Sequence, residues 1–186
     1  MLKVTDYELS FDEILLKDVN FEIKSTDKVA IVGANGAGKT TLFQTIFNNN
    51  NSSIEINENI KIGYLSQLQG QTLNYSNTIA DEFFDIGFKT YDDIKEYLEG
   101  YNFDEELLNQ KIGTLSGGEK NLIQLAKISE VGADLLLLDE PTSHLDTYSQ
   151  IALEKAIKNY KGAILMVSHD YYTIANCMDY VLFIEN

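Results

Sequence analysis

The sequence predicts an α/β fold built around a phosphate-binding loop. Residues 33–40, GANGAGKT, fit the pattern G-x-x-x-x-G-K-[ST] at every fixed position. A short apolar run over residues 28–32 precedes this loop as a buried strand. Residues 41–47 follow it with Phe43, Ile46 and Phe47 at the spacing of a helix with one buried face. A later run of leucines ends on Asp139, as expected of a second buried strand that presents a carboxylate.

The residue types of the loop suit a polyphosphate. Its glycines allow the backbone to turn a row of N–H groups toward phosphate oxygens, and the helix that begins there adds the positive end of its dipole. We expect Lys39 to reach the β- and γ-phosphates and the Thr40 hydroxyl to hold Mg²⁺. The sequence therefore predicts a protein that binds a nucleoside triphosphate.

Composition limits the classes of protein. A chain of 186 residues with 44% apolar residues is long enough for one domain with a buried core. No apolar run approaches the roughly 20 residues that span a bilayer, and no basic-then-apolar signal pattern opens the chain. The single cysteine, Cys177, cannot form an internal disulfide, and no His/Cys cluster indicates zinc. We therefore expect a cytoplasmic protein.

Acidic residues greatly outnumber basic ones. The formal net charge is −15, and all 14 basic residues are lysines. Without arginine, the chain cannot supply an arginine finger to a γ-phosphate. A broad nucleic-acid-binding face is also not expected, because phosphate contacts need clustered basic residues.

The segments around the loop predict further strands and two ligand-facing positions. Residues 2–9 and 15–23 are interpreted as antiparallel strands, with Phe11 between them either stacking on a base or packing in the hairpin core. Residues 54–56 and 60–65 are interpreted as strands, and Gln67 follows the second at the expected ligand edge of an open sheet.

A second group of motifs follows an acidic helical insert. Residues 81–106 hold ten acidic residues and two lysines. Ser116, Gly117 and Gly118 then open a strong helix, which makes a second anion-binding helix end. Glu140 is placed to polarise a water for attack on the γ-phosphate. His169 follows the apolar run at residues 163–167, interpreted as a strand, and could hydrogen-bond that phosphate.

With these blocks in this order, the chain resembles the nucleotide-binding domain of the ATP-binding cassette superfamily from residue 2 to residue 185. The most specific block is the signature LSGGE at residues 115–119. The resemblance implies a P-loop NTPase with an ABC-type core, in which a mixed sheet and an N-terminal antiparallel β subdomain occupy residues 1–69 and 115–186. A short helical subdomain would occupy residues 70–114. Phe11 matches the aromatic position that stacks on adenine.

Within the superfamily, the chain most resembles the F subfamily of soluble, ribosome-associated twin-cassette proteins. Three features favour this subfamily: KIGYLSQ at residues 61–67, DEPTSHLD at residues 139–146 and the short helical insert. Four residues depart from those usual in the subfamily, namely Asn121, Leu122, Ser143 and Tyr171. This resemblance implies that the chain is one cassette, cut from a longer translation factor or antibiotic-resistance ATPase. Of the two cassettes of such a protein, it better resembles the second. An ATP-binding subunit of a membrane transporter and a non-hydrolysing sensor are the alternatives.

The resemblance also implies a Mg²⁺-dependent ATPase in which two cassettes enclose ATP, so that an isolated cassette is weak or inactive. Glu140, His169 and Gln67 would be catalytic, and Thr40, Gln67 and Asp139 would organise Mg²⁺. Ser116, Gly117 and Gly118 would act on the nucleotide of the partner cassette. The residues that would hold ATP within one cassette are Phe11, Asn35, Gly36, Ala37, Gly38, Lys39, Thr40 and Thr41.

Overall fold

The computed structural model describes residues 1–10, 14–66, 73–143 and 145–184. Its contacts divide the chain into two compact units. The first unit comprises Met1–Tyr64, Ala133–Pro141 and Lys161–Asn186, and the second comprises Leu65–Gly132 and Thr142–Tyr160. The helical segment of the insert therefore shares its unit with the helix that begins at the signature.

The elements follow one another along the chain as eight strands and six α-helices within these described ranges. The strands are β1 (Leu2–Ser10), β2 (Ile14–Ile23), β3 (Lys28–Gly33), β4 (Ile54–Ile56), β5 (Ile62–Leu65), β6 (Leu135–Asp139), β7 (Ala163–Val167) and β8 (Tyr180–Ile184). The helices are α1 (Lys39–Asn48), α2 (Ile79–Asp85), α3 (Tyr91–Glu99), α4 (Gly117–Glu130), α5 (Thr147–Asn159) and α6 (Tyr171–Cys177).

The strands form two sheets. A three-stranded antiparallel sheet has the order β2-β1-β4, and a five-stranded sheet has the order β5-β6-β7-β3-β8. In the larger sheet, β3 pairs in parallel with β7 and β8, and β6 pairs in parallel with β7. The predicted α/β fold is confirmed, and the antiparallel strands lie in a sheet of their own.

The core of the first unit lies along the central strands. Every residue of β6 and of β7 is buried, as expected of parallel strands covered on both faces. Helix α1 buries Leu42, Phe43 and Ile46. The prediction that Phe47 belongs to this buried face was wrong, because the face is centred on Leu42 and Phe43 and leaves Phe47 43% exposed.

The second unit contains the helices predicted for the acidic insert and for the signature region. Helices α2, α3 and α4 each begin with a reciprocal capping box, made by Thr78 with Asp81, Thr90 with Asp93 and Ser116 with Glu119. None of the helices described in either unit is long and apolar enough to cross a membrane.

A buried ion pair connects two helices of the second unit. The Glu82 side chain of α2 is 2% exposed and forms a salt bridge with Lys127 of α4. The same carboxylate accepts hydrogen bonds from the Asn74 backbone N–H at 2.9 Å and from the Asn77 side chain at 3.1 Å. Glu82 therefore links α4 to the turn that precedes α2.

Candidate functional site

The glycine-rich loop joins β3 to α1 with the conformation that its sequence requires. Gly36 and Gly38 have φ angles of 81° and 85°, in the left-handed region that side chains other than glycine rarely adopt. The Lys39 ammonium, on a residue only 7% exposed, donates to the carbonyl oxygens of Gly33 at 2.8 Å and Ala34 at 2.7 Å. The Lys39 side chain thus hydrogen-bonds to the backbone of its own loop.

Two carboxylates face this loop from the end of β6. Burial lowers the pKa of Lys39, whereas the charges of Glu140 and Asp139 raise it. Burial raises the pKa of Asp139, and hydrogen bonds from Thr40 and Tyr64 oppose that shift. The three charged groups therefore interact within one partly desolvated region of the first unit.

Glu140 is held in an unusual backbone conformation. Its φ angle is 51°, and its N–H donates to the Val167 carbonyl at 2.8 Å. A left-handed conformation at a non-glycine residue costs about 1–3 kcal/mol and marks functional positions in many proteins. It sets the Glu140 carboxylate beside His169, whose Nε2 lies 3.3 Å from Oε1 and whose backbone N–H donates to Oε2 at 3.4 Å. Burial raises the pKa of Glu140, and His169 opposes that shift.

These residues line one cavity of about 460 Å³ in the first unit. Leu15, which the sequence analysis missed, lines it as well. Leu16 is fully buried, and Leu15 lies on the other face of β2. No local pattern marks this position, because the register of β2 shifts between residues 16 and 19 and interrupts the alternation that Val19, Phe21 and Ile23 show. The other lining residues are Asn35, Gly36, Gly38, Lys39, Thr40, Thr41, Asp139, Glu140, Val167 and His169.

The remaining candidate residues are either outside the described ranges or not among the residues that line this cavity. Phe11 and Gln67 lie outside the described residues, as does His144. Ala37 is 1% exposed and is not among the residues that line the cavity. The three signature residues belong to the second unit, where the Ser116 hydroxyl accepts from the Glu119 N–H at 3.2 Å.

The signature glycines differ in their surroundings. A side chain at Gly117 would meet open space, whereas one at Gly118 would lie 3.0 Å from a Leu145 methyl and 3.1 Å from the Ser149 hydroxyl. Gly118 therefore permits close packing of α4 on the α5 region, and Gly117 leaves the first turn of α4 accessible.

Thr40 and Asp139 fit Mg²⁺. They place a hydroxyl and a carboxylate in hydrogen-bonding contact, and Mg²⁺ prefers oxygen ligands. Within the described ranges, no group of three or more His, Cys, Asp or Glu side chains could hold a metal ion. The two residues therefore suit an ion that shares its shell with phosphate oxygens rather than one held by a protein cage.

Comparison with known proteins identifies the family. A family profile described as ABC transporter matches residues 16–143, more than half of the chain. The chain belongs to the ABC transporter family. It is an ATP-binding domain of the ABC ATPase class. Domains of this class bind ATP and typically Mg²⁺.

The curated relatives of this ABC domain include members of the F branch. It is 34% identical to ABC transporter F family member 5 of Arabidopsis thaliana over 100% of this chain and 28% of that protein. It is 34% identical to Protein GCN20 of Saccharomyces cerevisiae over 94% of this chain and 24% of that protein. For the energy-dependent translational throttle protein EttA of Escherichia coli, the identity is 32% over 98% of this chain and 34% of that protein.

The fold of the ABC domain also matches a solved structure. A chain described as the structure of an ATP binding subunit of an ABC transporter superposes with a TM-score of 0.80 at 22% identity, over 100% of this chain and 86% of that chain. The ABC domain thus spans about a quarter to a third of the curated relatives named here and nearly all of this structural neighbour.

Proposed function

We propose that this domain binds Mg-ATP and hydrolyses it as one half of a two-cassette ATPase. The observation that carries the proposal is the single cavity that gathers Lys39, Thr40, Asp139, Glu140 and His169. It supplies a cation for the phosphates, oxygen ligands for Mg²⁺ and a base for water. The signature residues are not among those that line this cavity, which leaves them for a second nucleotide.

In the proposed binding step, Lys39 exchanges two carbonyl partners for phosphate oxygens. Its ammonium already lies among the loop residues, so only a side-chain movement is needed. The N–H groups of residues 35–41 then surround the β- and γ-phosphates. Thr40 and Asp139, with Gln67, would hold Mg²⁺, which would neutralise charge on the phosphate oxygens. Phe11 would stack on the adenine.

In the proposed hydrolytic step, Glu140 accepts a proton from the attacking water. The water oxygen bonds to the γ-phosphorus while the bond from that phosphorus to its bridging oxygen breaks, which releases ADP and phosphate. His169 keeps the Glu140 carboxylate in place through its backbone N–H and ring. The raised pKa of Glu140 makes it a better proton acceptor than an ordinary exposed carboxylate.

The proposed partner is a second cassette, whose Ser116, Gly117 and Gly118 would contact the γ-phosphate. Complementation between two variants tests this arrangement. Lys39→Ala should remove phosphate binding within the cavity. Gly117→Asp should repel the partner's phosphate without disturbing its own chain, because the position faces open space and an acid suits a helix N-terminus. Each variant alone should lose ATPase activity.

An equal mixture of the two variants should regain roughly a quarter of the wild-type rate, since half of randomly formed dimers are mixed and each has one intact site. Phosphate release during steady-state turnover is the measurement, with circular dichroism as the folding control. Full activity of Gly117→Asp alone, or no recovery in the mixture, contradicts the two-cassette proposal.

We further propose that the domain belongs to a longer cytoplasmic protein that acts on ribosomes, as a translation factor or a ribosome-protecting resistance protein. In this protein, residues 1–69 and 115–186 would form the catalytic part, and residues 70–114 would form the helical subdomain. The EttA relative is named an energy-dependent translational throttle protein, which supports the ribosomal role.

Co-sedimentation of the full-length protein with ribosomes tests the partner. We expect association that depends on ATP and becomes stronger in the Glu140→Gln variant, because hydrolysis would end the closed state. Recovery of the full-length protein with a membrane permease, and not with ribosomes, would instead support the transporter alternative.

A further inference from the structure

Tyr64 contacts the candidate Mg²⁺ ligand from the neighbouring strand. Its hydroxyl donates to Oδ2 of Asp139 at 3.3 Å, and the two residues are 75 positions apart. Tyr64 is 6% exposed and Asp139 is 5% exposed, so the contact lies inside the protein. A hydrogen bond to a charged group in such a position contributes more than one at the surface.

The tyrosine ring is itself held by helix α1. Its centroid lies 6.3 Å from that of Phe43 in an edge-to-face arrangement and 5.4 Å from that of Phe47. Both phenylalanines belong to the helix that begins with Lys39 and Thr40. The helix that carries the phosphate-binding residues therefore also fixes the place of the Tyr64 hydroxyl.

The two donors around Asp139 restrict its carboxylate. Tyr64 holds Oδ2, and Thr40 provides a further hydrogen bond from the first turn of α1. A carboxylate that is free to rotate presents its oxygens to a metal ion only part of the time, and partners behind metal ligands raise affinity by removing this freedom.

We propose that Tyr64 is a positioning residue that orients the Asp139 carboxylate for Mg²⁺. The inference rests on the proposed function, in which Asp139 holds the ion that accompanies ATP. Tyr64 touches neither nucleotide nor metal in this role, because it acts through Asp139. Nucleotide binding without a metal should then be independent of its hydroxyl.

The test compares two tyrosine-to-phenylalanine variants of the whole chain. Tyr64→Phe removes the hydroxyl near Asp139. Tyr7→Phe is a matched control, since Tyr7 is 1% exposed and its hydroxyl lies 3.3 Å from that of Thr45 on α1, with no contact to Asp139 among its described hydrogen bonds. Calorimetry would measure the affinity of each variant for a non-hydrolysable ATP analogue, both in a Mg²⁺ titration and in EDTA.

Tyr64→Phe should weaken the apparent Mg²⁺ affinity by about 10-fold, as the loss of a partner behind a metal ligand does, while its affinity in EDTA stays at the wild-type value. Tyr7→Phe should change neither quantity. Equal Mg²⁺ affinity in the two variants overturns the inference, and so does a parallel loss in EDTA, which would show a general structural role.

A second variant keeps the inference testable if Tyr64→Phe does not fold. Phe47 is 43% exposed, so Phe47→Ala removes a support of the Tyr64 ring from outside the core. A selective loss of Mg²⁺ affinity supports the inference, and an unchanged affinity overturns it. If the wild-type chain binds the analogue equally with Mg²⁺ and with EDTA, the proposed function fails instead, because Asp139 then holds no ion.

Discussion

A Glu140→Gln variant is expected to bind ATP at near wild-type affinity and to hydrolyse it about 10²–10⁴-fold more slowly, the usual contribution of a general base. Glutamine has nearly the same shape as glutamate and can still contact His169, so the residues that line the cavity should keep their positions. It cannot accept a proton from water at neutral pH. Single-turnover release of phosphate and equilibrium binding of ATP measure the two quantities separately.

Glu55→Gln provides the control for this substitution, because Glu55 is an exposed residue of β4 in the same unit. It should leave both quantities unchanged. In gel filtration with Mg-ATP, Glu140→Gln should also accumulate as a dimer, since the nucleotide that would join two cassettes persists. Wild-type turnover in this variant would remove Glu140 from the mechanism, and a strictly monomeric variant at saturating Mg-ATP would argue against the two-cassette arrangement.

A Glu82→Ala variant is expected to lose about 3–5 kcal/mol of unfolding free energy, the usual effect of removing one partner of a buried ion pair. Lys127, with a side chain 15% exposed, would lose its carboxylate partner. The Asn74 N–H and the Asn77 amide would lose an acceptor at the same time. Urea denaturation followed by circular dichroism measures the loss.

Glu105→Ala is the matched control in the same unit. Glu105 pairs with Lys95 at 2.6 Å, but the two side chains are 69% and 40% exposed. Solvent screens such a pair, so its removal should change the denaturation midpoint far less than the loss of Glu82. Equal shifts of the denaturation midpoint in the two variants would show that the buried Glu82 pair stabilises the fold no more than the exposed Glu105 pair does.

The sequence predicts best where one physical cause decides the structure. Strands β6 and β7 were predicted because continuous apolar runs of this length are typical of parallel strands buried on both faces. Helix α6 was not predicted. It has only seven residues, and its Tyr171 and Tyr172 are 73% and 81% exposed, so it has too few turns to show a helical period.

In the candidate site, too, local motifs can be predicted from the sequence, whereas contacts between distant residues cannot. Its glycine-rich loop is a local motif, and Gly36 and Gly38 adopt the positive φ angles for which glycine is suited. The contact between Tyr64 and Asp139 depends on β5 and β6 lying side by side, and no local pattern states which strands are neighbours. The roles predicted for Phe11 and Gln67 stay predictions, because both lie outside the described residues.

The backbone of Glu140 has a consequence for how the domain could evolve. Glycine or asparagine would adopt its left-handed conformation at lower cost, but either would remove the acid. In the proposed mechanism, relaxing this peptide unit by substitution would slow hydrolysis, so stabilising substitutions are expected at other positions. The proposed catalytic role of Glu140 would thus carry a cost in stability at the same residue.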